Sequence, residues 1–500
     1  MKIFSAEQLK QWDAYTIEHE PISSIDLMAR AALGCSEWLL INKGKKNYKI
    51  FCGIGNNGGD GLAIAALLIK DTCKVSVYIL DNGGEGSPEF KVNHEILKKI
   101  TNDIHYLSVT HDFPEINKDD IIIDALFGTG LNKIITGLAA DLIQHINLSK
   151  ADVIAIDLPS GLFADTTSIG NTIVKAVFTL TFQQYKLALL VAENEEYFGK
   201  AVLIDIGLHK QYYNENESKY HLTDSSLIKS IYKPRKDFSN KGNYGHALLI
   251  AGSYGMMGAA ILAAKGCLKS GVGKITSLIP KAGYEIMQSS IPEAMCRVSG
   301  KKYIKGLSNY SAFNSIGIGP GLGLHASHKE LLQTLFENYK KPVVIDADAL
   351  NTISEYNKLL YFIPPNSIIT PHPKEFDKVF GKAENDFARM ETAIQRAKDH
   401  NIYILLKGHR TFIAGPSGEC FFNSTGNAGM AKGGSGDVLT GIITSLLAQG
   451  YTSLEACLFG AYLHGKSGDF AALQLSQESM TASDITESLS QAFKEVYLYV

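Results

Sequence analysis

The sequence has few prolines, no paired cysteines, no excess of basic residues and no long apolar run. It holds 14 prolines and 46 glycines among 500 residues, so proline is below ordinary usage and glycine above it. This balance favours tight turns between strands and helices over flexible linkers. Asp and Glu number 51 against 48 Lys and Arg, for a formal charge of −3. Because no positive surplus exists to replace counterions, we expect no nucleic-acid partner.

The seven cysteines are scattered and form no C-x-x-C pair. This pattern is typical of a reducing compartment, where cysteines serve as small buried apolar residues. The amino terminus turns polar within a few residues, which predicts no signal peptide. No run reaches the roughly 18 apolar residues that a membrane-spanning helix needs. We therefore expect a cytoplasmic protein without a membrane partner, and a homo-oligomer is expected as well.

Short β-branched runs alternate with helical patterns along the chain. This alternation predicts an α/β fold with parallel sheets covered on both faces. A polar, tyrosine-rich stretch at 209–221 interrupts the pattern and is the best candidate for a linker. The sequence thus predicts two α/β domains, at 1–215 and 225–500, of which the first is a Rossmann-like parallel-sheet domain.

The first glycine motif, KIFCGIGNNGGDG at 49–61, has the order strand, G-x-G-x-x-G, helix. Glycines at such a turn let the N–H groups of a helix N-terminus approach an anion. Asn56 and Asn57 add amide groups that suit a nicotinamide ring, a cation or a phosphate. A plain connecting turn and a hydride-transferring Rossmann site are the alternative interpretations of this motif alone.

Two further turns follow buried strands of the same half. Asp124 ends the strand before DALFGTG, and Asp157 ends the strand before DLPSG, which contains Ser160. Ligands bind beyond the carboxyl ends of strands in parallel sheets. Either aspartate alone suits a helix or turn cap. Together with Asn57, however, these side chains predict a site at one edge of the sheet.

The most informative motif of the second half is GNAGMAKGGSGDVLTGII at 426–443. Its glycine run opens a helix, so free N–H groups can hold a phosphate, and Asp437 provides a carboxylate beside them. A base next to an anion pocket is what phosphoryl transfer to a hydroxyl requires. An Asp cap on a glycine-rich helix is the alternative, and His372 between two prolines equally suits an ordinary turn.

The segment GAYLHGKS at 460–467 fits the phosphate-loop expression G-x-x-x-x-G-K-[ST]. A functional phosphate loop follows a strand, whereas the residues around this segment keep a helical period. The sequence therefore places it inside a helix.

GNNGGDG, DALFGTG and DLPSG, in this order, resemble the epimerase domain of NAD(P)H-hydrate repair enzymes over about residues 1–210. The resemblance implies a potassium site at Asn57, Asp124 and Ser160, whose oxygen atoms suit a hard cation. It also implies that Asp157 is a catalytic residue that touches the nicotinamide hydrate. The implied contacts with the hydrated dinucleotide are Asn56, Asn57, Gly58, Gly59, Asp60, Gly128, Thr129, Gly130, Leu131, Asn132, Lys133, Ile134 and Asp157.

The motifs GIGPGLG, DADALN, TPHPKEF, LKGHRT and GGSGD resemble the dehydratase domain of the same enzymes, a ribokinase-like fold, over about residues 225–500. The resemblance implies that ADP is the co-substrate, that Mg²⁺ acts with it, and that the hydrate contacts Ala259, Gly321, His372 and Asp437. The implied nucleotide contacts are Lys407, Gly408, His409, Arg410, Thr411, Gly433, Gly434, Ser435 and Gly436. The family usually has Pro at the position of Ala428 and Thr at the position of Lys432. His409 and Arg410 are unusual residues for the two variable positions of the family's K-G-x-x-T segment.

Together the two resemblances imply repair of hydrated NADH and NADPH. The R and S hydrates would be interconverted, and the S hydrate would be dehydrated with ADP, releasing AMP and phosphate. Asp437 would accept the hydroxyl proton as general base. The alternatives are a ribokinase-type small-molecule kinase fused to a dinucleotide-binding domain and a non-catalytic dinucleotide-binding scaffold. The kinase would not need the first domain, and the scaffold would not need Asp124, Asp157 and Ser160 together.

Overall fold

The computed structural model describes residues 1–81, 83–306 and 309–498. The chain divides into two compact units. The N-terminal unit spans Lys2–Ser218, and the C-terminal unit comprises Met1 and the chain from Lys219 onward. Among the described residues, no helix combines the length and apolarity needed to cross a membrane.

The N-terminal unit alternates strands with helices. Its strands are β1 (Lys2–Ile3), β2 (Asn47–Cys52), β3 (Lys74–Leu80), β4 (Ile104–Leu107), β5 (Ile121–Ala125), β6 (Asp152–Ile156), β7 (Phe178–Phe182) and β8 (Lys200–Ile204). Its α-helices are α1 (Ala6–His19), α2 (Ser24–Lys43), α3 (Asn56–Lys70), α4 (Pro88–Lys98), α5 (Leu138–Leu148), α6 (Glu195–Phe198) and α7 (Lys210–Glu215).

Strands β2 to β8 form an all-parallel sheet in the order β4-β3-β2-β5-β6-β7-β8. The chain builds outward from β2 to β4 and then returns to β5 on the other side of β2. Ligands of such sheets bind at this switch point, beyond the carboxyl ends of the strands. Strands β5 and β6 are rich in β-branched residues and almost wholly buried, because helices and loops cover both faces of the sheet.

The C-terminal unit repeats the alternation with a larger sheet. Its strands are β9 (Tyr220–Thr223), β10 (His246–Ile250), β11 (Lys274–Ile279), β12 (Met295–Val298), β13 (Ser315–Ile318), β14 (Val343–Ile345), β15 (Ile368–Ile369), β16 (Tyr403–Leu406), β17 (Phe412–Ala414) and β18 (Cys420–Asn423). Its α-helices are α8 (Ser225–Ile231), α9 (Met257–Lys269), α10 (Tyr284–Ser290), α11 (Ser327–Asn338), α12 (Ala347–Glu355), α13 (Pro373–Phe380), α14 (Asp386–His400), α15 (Ser435–Ala448), α16 (Ser453–Leu475) and α17 (Ala482–Leu498).

The strands of this unit lie in the order β9-β18-β17-β16-β15-β14-β13-β10-β11-β12. Strand β17 is antiparallel to both of its neighbours, and the other pairs are parallel. Helix α15 is buried on nearly every side, which explains why its sequence is almost wholly apolar after the first turn. Both units have the α/β architecture predicted from the sequence.

The polar stretch 209–221, suggested as a linker, contains helix α7 and the start of β9. Tyr212 of α7 is buried and stacks on Trp12 with ring centroids 6.0 Å apart. The edge of Phe4 meets the same tyrosine at 5.8 Å, and Trp12 Nε1 donates to the carbonyl of His209 at 2.9 Å. Helix α7 therefore completes the core of the N-terminal unit, and the linker interpretation is wrong for this part of the stretch.

Removing the ring of Tyr212 will destabilise the N-terminal unit. Tyr212→Ala leaves a cavity beside Trp12, and such losses cost about 3–5 kcal/mol. Both tryptophans of the chain, Trp12 and Trp38, lie in this unit, so denaturation followed by tryptophan fluorescence reports its stability. Leu148→Ala is the control, because Leu148 is 84% exposed. Equal stabilities of the two variants would contradict the packing role of α7.

Candidate active sites

The first candidate site lies at the switch point of the N-terminal sheet. Helix α3 begins directly after β2 because Gly58 can approach Gly53: a Cβ added at Gly58 would lie 1.7 Å from the Gly53 carbonyl oxygen. This close turn brings the buried Asn57 side chain beside Gly128, where an added Cβ would lie 3.3 Å from Asn57 Cγ. The Asn57 Nδ2 atom is buried and has no hydrogen-bond partner in the described part of the chain.

Asp124 and Ser160 meet at the ends of the neighbouring strands β5 and β6. The Ser160 hydroxyl donates to Asp124 Oδ1 at 2.6 Å, and the Ser160 N–H donates to Oδ2 at 2.7 Å. Asp124 is fully buried, and burial raises its pKa to about 6 although the Ser160 bonds lower it. No lysine or arginine pairs with it among the described residues. The carboxylate is therefore costly to keep charged without a cation.

Asp157 follows β6 directly and adopts a left-handed backbone with φ 66°. Such a conformation is strained for a residue other than glycine. It persists because the Asp157 N–H donates to Leu180 at 2.7 Å and Oδ1 accepts the Phe182 N–H at 3.3 Å. The buried Lys186 ammonium forms an ion pair with the same carboxylate. The strand end thus holds a charged carboxylate in a fixed orientation.

The other predicted contacts of this site differ in exposure. Gly58, Gly59 and Asp60 are buried near the start of α3, whereas Asn56 is exposed. Burial, followed by the charges of Asp157 and Asp13, raises the pKa of Asp60 well above its ordinary value. The loop at 128–134 is half-buried at its start and exposed from 132 to 134. The structure therefore brings Asn57, Asp124, Asp157, Ser160 and Asp60 to one edge, with this loop beside them.

The second candidate site lies at the N-terminus of α15. Gly434 precedes the helix with φ 93°, a conformation that favours glycine. Asp437 lies in the first turn, and its carboxyl group makes no hydrogen bond in the described structure, so it is not a helix cap. Burial and then the charge of Asp346 raise the pKa of Asp437 to about 7. A carboxyl group in this state suits a general base at neutral pH.

Asp346 connects this helix to the end of β14. Its Oδ1 accepts from Lys407 Nζ at 2.8 Å and its Oδ2 from the Thr440 hydroxyl at 2.7 Å. Glu375 Oε2 lies 3.9 Å from the same lysine. Burial alone would lower the pKa of Lys407, but the carboxylates of Asp346 and Glu375 raise it. The lysine therefore stays charged beside Gly436, where an added Cβ would lie 3.2 Å from Nζ.

Ala259 and Gly321, which are predicted to contact the hydrate, are adjacent. A Cβ added at Gly321 would lie 2.9 Å from the Cβ of Ala259. Asp348 Oδ2 accepts the N–H of Gly323 at 2.8 Å, and the charge of Asp348 also acts on Asp437. His372 caps α13 by accepting from the N–H groups of Lys374 and Glu375 at 3.2 and 3.3 Å.

A cavity of about 560 Å³ lies at the α15 N-terminus, and His372 is among its walls. Arg410 and Gly434 are not among its walls, and the Arg410 guanidinium donates to the Ser424 carbonyl at 2.6 Å. The predicted nucleotide contacts that line the cavity are Lys407, Gly408, His409, Thr411, Gly433, Ser435 and Gly436. Lys407 therefore lies between the cavity and the carboxylates around Asp437.

The structure adds site residues that sequence reasoning missed. Asp346, Asp348 and Glu375 lie in the motifs DADALN and TPHPKEF, where only His372 was singled out. His464 lies in α16, within GAYLHGKS, and lines the cavity with Nε2 3.2 Å from the Ser435 hydroxyl. Burial lowers its pKa to about 4, so the ring is neutral at pH 7. Lys186 carries no motif that could have identified it.

Family models match both halves of the chain. Residues 24–188 match a model described as YjeF-related protein N-terminus, and residues 247–491 match one described as NAD(P)H-hydrate dehydratase. The bifunctional NAD(P)H-hydrate repair enzyme Nnr of Moorella thermoacetica is 34% identical over 517 residues, which cover 99% of this chain and 97% of that protein. The chain belongs to the bifunctional NAD(P)H-hydrate repair enzymes. It is an NAD(P)H-hydrate epimerase and dehydratase.

Other relatives agree with this assignment. The Nnr enzyme of Escherichia coli is 30% identical and aligns over 89% of this chain and 85% of its own length. An ADP/ATP-dependent NAD(P)H-hydrate dehydratase from Bacillus subtilis, co-crystallised with ATP and Mg²⁺, is 30% identical and covers 55% of this chain and 98% of its own, with a TM-score of 0.49. The predicted resemblance to the two domains of these enzymes is confirmed, as is the α/β fold class, with an all-parallel sheet in the first unit and a mixed sheet in the second.

Neutralising Asp437 will stabilise the C-terminal unit at high pH. The raised pKa means that the folded state pays for ionising Asp437 between about pH 4 and pH 7. Asp437→Asn removes this cost, so the variant should exceed wild type by on the order of 1–4 kcal/mol at pH 8 and by little at pH 4. The measurement is denaturation followed by circular dichroism.

The control is Glu330→Gln, an exposed carboxylate in the first turn of α11. It should change stability little at either pH. An Asp437→Asn variant that is less stable than wild type at pH 8 would contradict the burial of an unpaired charge at this position.

Proposed function

We propose that the switch-point site of the N-terminal unit interconverts the R and S hydrates, with Asp157 as a catalytic residue. The supporting observation is the carboxylate at the strained end of β6, held by Lys186, next to the open N-terminus of α3. The hydrate carries its hydroxyl on the ring carbon next to nitrogen, because water adds to an enamine at that carbon. Loss of the hydroxyl leaves a cationic carbon, which a fixed carboxylate stabilises.

We propose that the start of α3 and the loop at 128–134 bind the hydrate from two sides of this site. The N–H groups at the start of α3 and the amides of Asn56 and Asn57 would hold the dinucleotide phosphates and the carboxamide. The loop at 128–134 follows β5 directly and is exposed enough to close over them. Asn57 Nδ2, buried without a partner, supports a polar ligand at this place.

A potassium ion is proposed at Asn57, Asp124 and Ser160. The residues fit it because a buried carboxylate without a positive partner lies against a hydroxyl and near an amide, and hard cations prefer oxygen ligands. The ion would supply a fixed positive charge that neutralises Asp124 and helps to position the hydrate.

The C-terminal site is proposed to dehydrate the S hydrate with ADP as phosphoryl donor. Asp437 takes the proton of the hydrate hydroxyl while its oxygen bonds to the terminal phosphorus and AMP departs. The phosphate then leaves with the C–O electron pair, the neighbouring carbon loses a proton, and NAD(P)H is restored. The observation that carries this function is the position of Asp437, an unpaired carboxyl group at the glycine-lined N-terminus of α15 whose pKa is raised to about 7 by burial.

The nucleotide is proposed to occupy the cavity of about 560 Å³. The N–H groups of the glycine run 433–436 and the charged Lys407 would hold its phosphates. No cluster of His, Cys, Asp and Glu in the described residues is arranged to hold a metal alone, so Mg²⁺ would bind together with the ADP phosphates. The predicted homo-oligomer stays a prediction, which sedimentation of the full chain would test.

Asp437→Asn should abolish most dehydration without affecting epimerisation. The amide keeps the size of the side chain but cannot accept a proton, and general-base catalysis typically contributes about 10²–10⁴-fold in rate. Incubation with the S hydrate and ADP, followed at the absorbance of regenerated NADH, measures the loss. The wild-type rate should rise from pH 5 to about pH 7 as Asp437 ionises.

Interconversion of the hydrates by the same Asp437→Asn sample is the internal control for folding and concentration. Dehydration within about threefold of wild type would place the base elsewhere.

Epimerisation should depend on potassium. Replacing K⁺ with tetramethylammonium, which is too large for a site between Asn57 and Asp124, should slow interconversion of the hydrates measured by chromatography without ADP. Asp124→Asn keeps the size of the side chain but loses the charge that binds the cation, so its residual rate should respond less to K⁺. Wild-type rates that are equal in the two salts would refute the metal assignment.

A further inference from the structure

Asp13, an acidic residue of helix α1, lies among the ionisable groups of the proposed epimerase site. Helix α1 contains none of the glycine motifs found in the sequence. Asp13 lies on α1 between the buried residues Trp12 and Thr16, one turn after the buried Leu9. It therefore shares the inward face of the helix. A carboxylate on the core-facing side of an amphipathic helix is costly unless it has a partner or a task.

The carboxyl group of Asp13 makes no hydrogen bond in the described structure. Three ionisable side chains from other segments interact with it electrostatically. They are Asp157 after β6, Lys186 after β7, and Asp60 near the start of α3. Each of these residues belongs to the proposed epimerase site or pairs with one that does. Asp13 is therefore the fourth ionisable group of the same cluster.

The four groups differ in whether their surroundings favour the charged or the neutral form. Lys186 forms an ion pair with Asp157, which keeps that carboxylate charged. Burial, followed by the charges of Asp157 and Asp13, raises the pKa of Asp60 well above its ordinary value, which favours its protonated form. Burial and then the charge of Asp157 raise the pKa of Asp13 to about 7, although the charge of Lys186 lowers it. A carboxyl group with a pKa of about 7 can exchange a proton at neutral pH.

We propose that Asp13 is the catalytic acid of epimerisation, which works as a pair with the carboxylate of Asp157. The inference rests on the epimerase function proposed for this site. Two carboxyl groups whose surroundings keep one protonated and one ionised form an acid–base pair.

The step balances as follows. Asp13 gives its proton to the ring hydroxyl, the C–O bond breaks with its electron pair on oxygen, and water leaves while the nitrogen lone pair forms an iminium. The carbon is now planar, so water can add to its other face. The adding water loses a proton to Asp157, and the C–O bond of the other epimer forms. Proton exchange between the coupled carboxyl groups restores the starting state.

The test is Asp13→Asn, with Glu18→Gln as the matched control, because Glu18 is an exposed carboxylate on the same helix. Interconversion of the R and S hydrates is measured by chromatography in the full chain with saturating K⁺, after subtraction of the uncatalysed rate. Asp13→Asn should lower kcat by about 10²–10⁴-fold and leave KM within about twofold, since the group acts on the reacting hydroxyl. Glu18→Gln should match wild type.

The pH profile separates catalysis from a structural role. The wild-type rate should fall about tenfold per pH unit above pH 7, as Asp13 loses its proton. This dependence should disappear in Asp13→Asn and persist in Asp13→Glu. If Asp13→Asn fails to fold, shown by tryptophan fluorescence, the wild-type and Asp13→Glu profiles alone decide.

The possible failures are distinguishable. A wild-type rate that stays constant from pH 6 to 8.5, or an Asp13→Asn rate within about threefold of wild type, would overturn the role of Asp13 and leave the epimerase function standing. A wild-type chain that does not interconvert the hydrates at any pH would refute the proposed function itself.

Discussion

Both sites depend on one electrostatic constraint, the burial of more carboxyl groups than the single lysine beside them can pair with. In the N-terminal unit Lys186 pairs with Asp157 and leaves Asp13 without a hydrogen bond. In the C-terminal unit Lys407 pairs with Asp346 and leaves Asp437 without one. One positive charge satisfies one buried carboxylate, so the second is driven toward its neutral form. Burial, followed by the charge of the paired carboxylate, raises the pKa of Asp13 and the pKa of Asp437 to about 7, although the nearby lysine lowers each of them.

The rest of each fold supports this arrangement. Parallel strands deliver their carboxyl ends to one edge, which places Asp157 after β6 and Asp346 after β14. A glycine turn then lets a helix begin close to that edge, with Gly58 in one unit and Gly434 in the other. The open N–H groups of these helices favour anionic ligands next to the carboxyl groups. Phosphates and titrating carboxyls can thus lie side by side although both carry negative charge.

The features of this arrangement that depend on local sequence patterns could be predicted from the sequence. Buried strands, glycine turns and the aspartates at strand ends have periodicity or motifs, so Asp124, Asp157 and Asp437 could be named and the segment 460–467 placed in a helix. Asp13 and Lys186 could not be identified, because nothing local in α1 or after β7 shows which distant side chains they will face. Helix α7 was missed since its stability comes from Tyr212 on Trp12 rather than from its polar sequence.

A pKa of about 7 at both unpaired carboxyl groups lets one chain use them in opposite ways. The proposed epimerase needs Asp13 protonated, whereas the proposed dehydratase needs Asp437 ionised. With a pKa of about 7, each group has access to both its acid form and its base form near neutral pH. A higher pKa for Asp437 would lower the fraction of its base form, which dehydration needs. A lower pKa for Asp13 would lower the fraction of its acid form, which epimerisation needs. Because the proposed dehydratase consumes only one epimer, its supply depends on the proposed epimerase, so complete repair needs the acid form of Asp13 and the base form of Asp437 at the same pH.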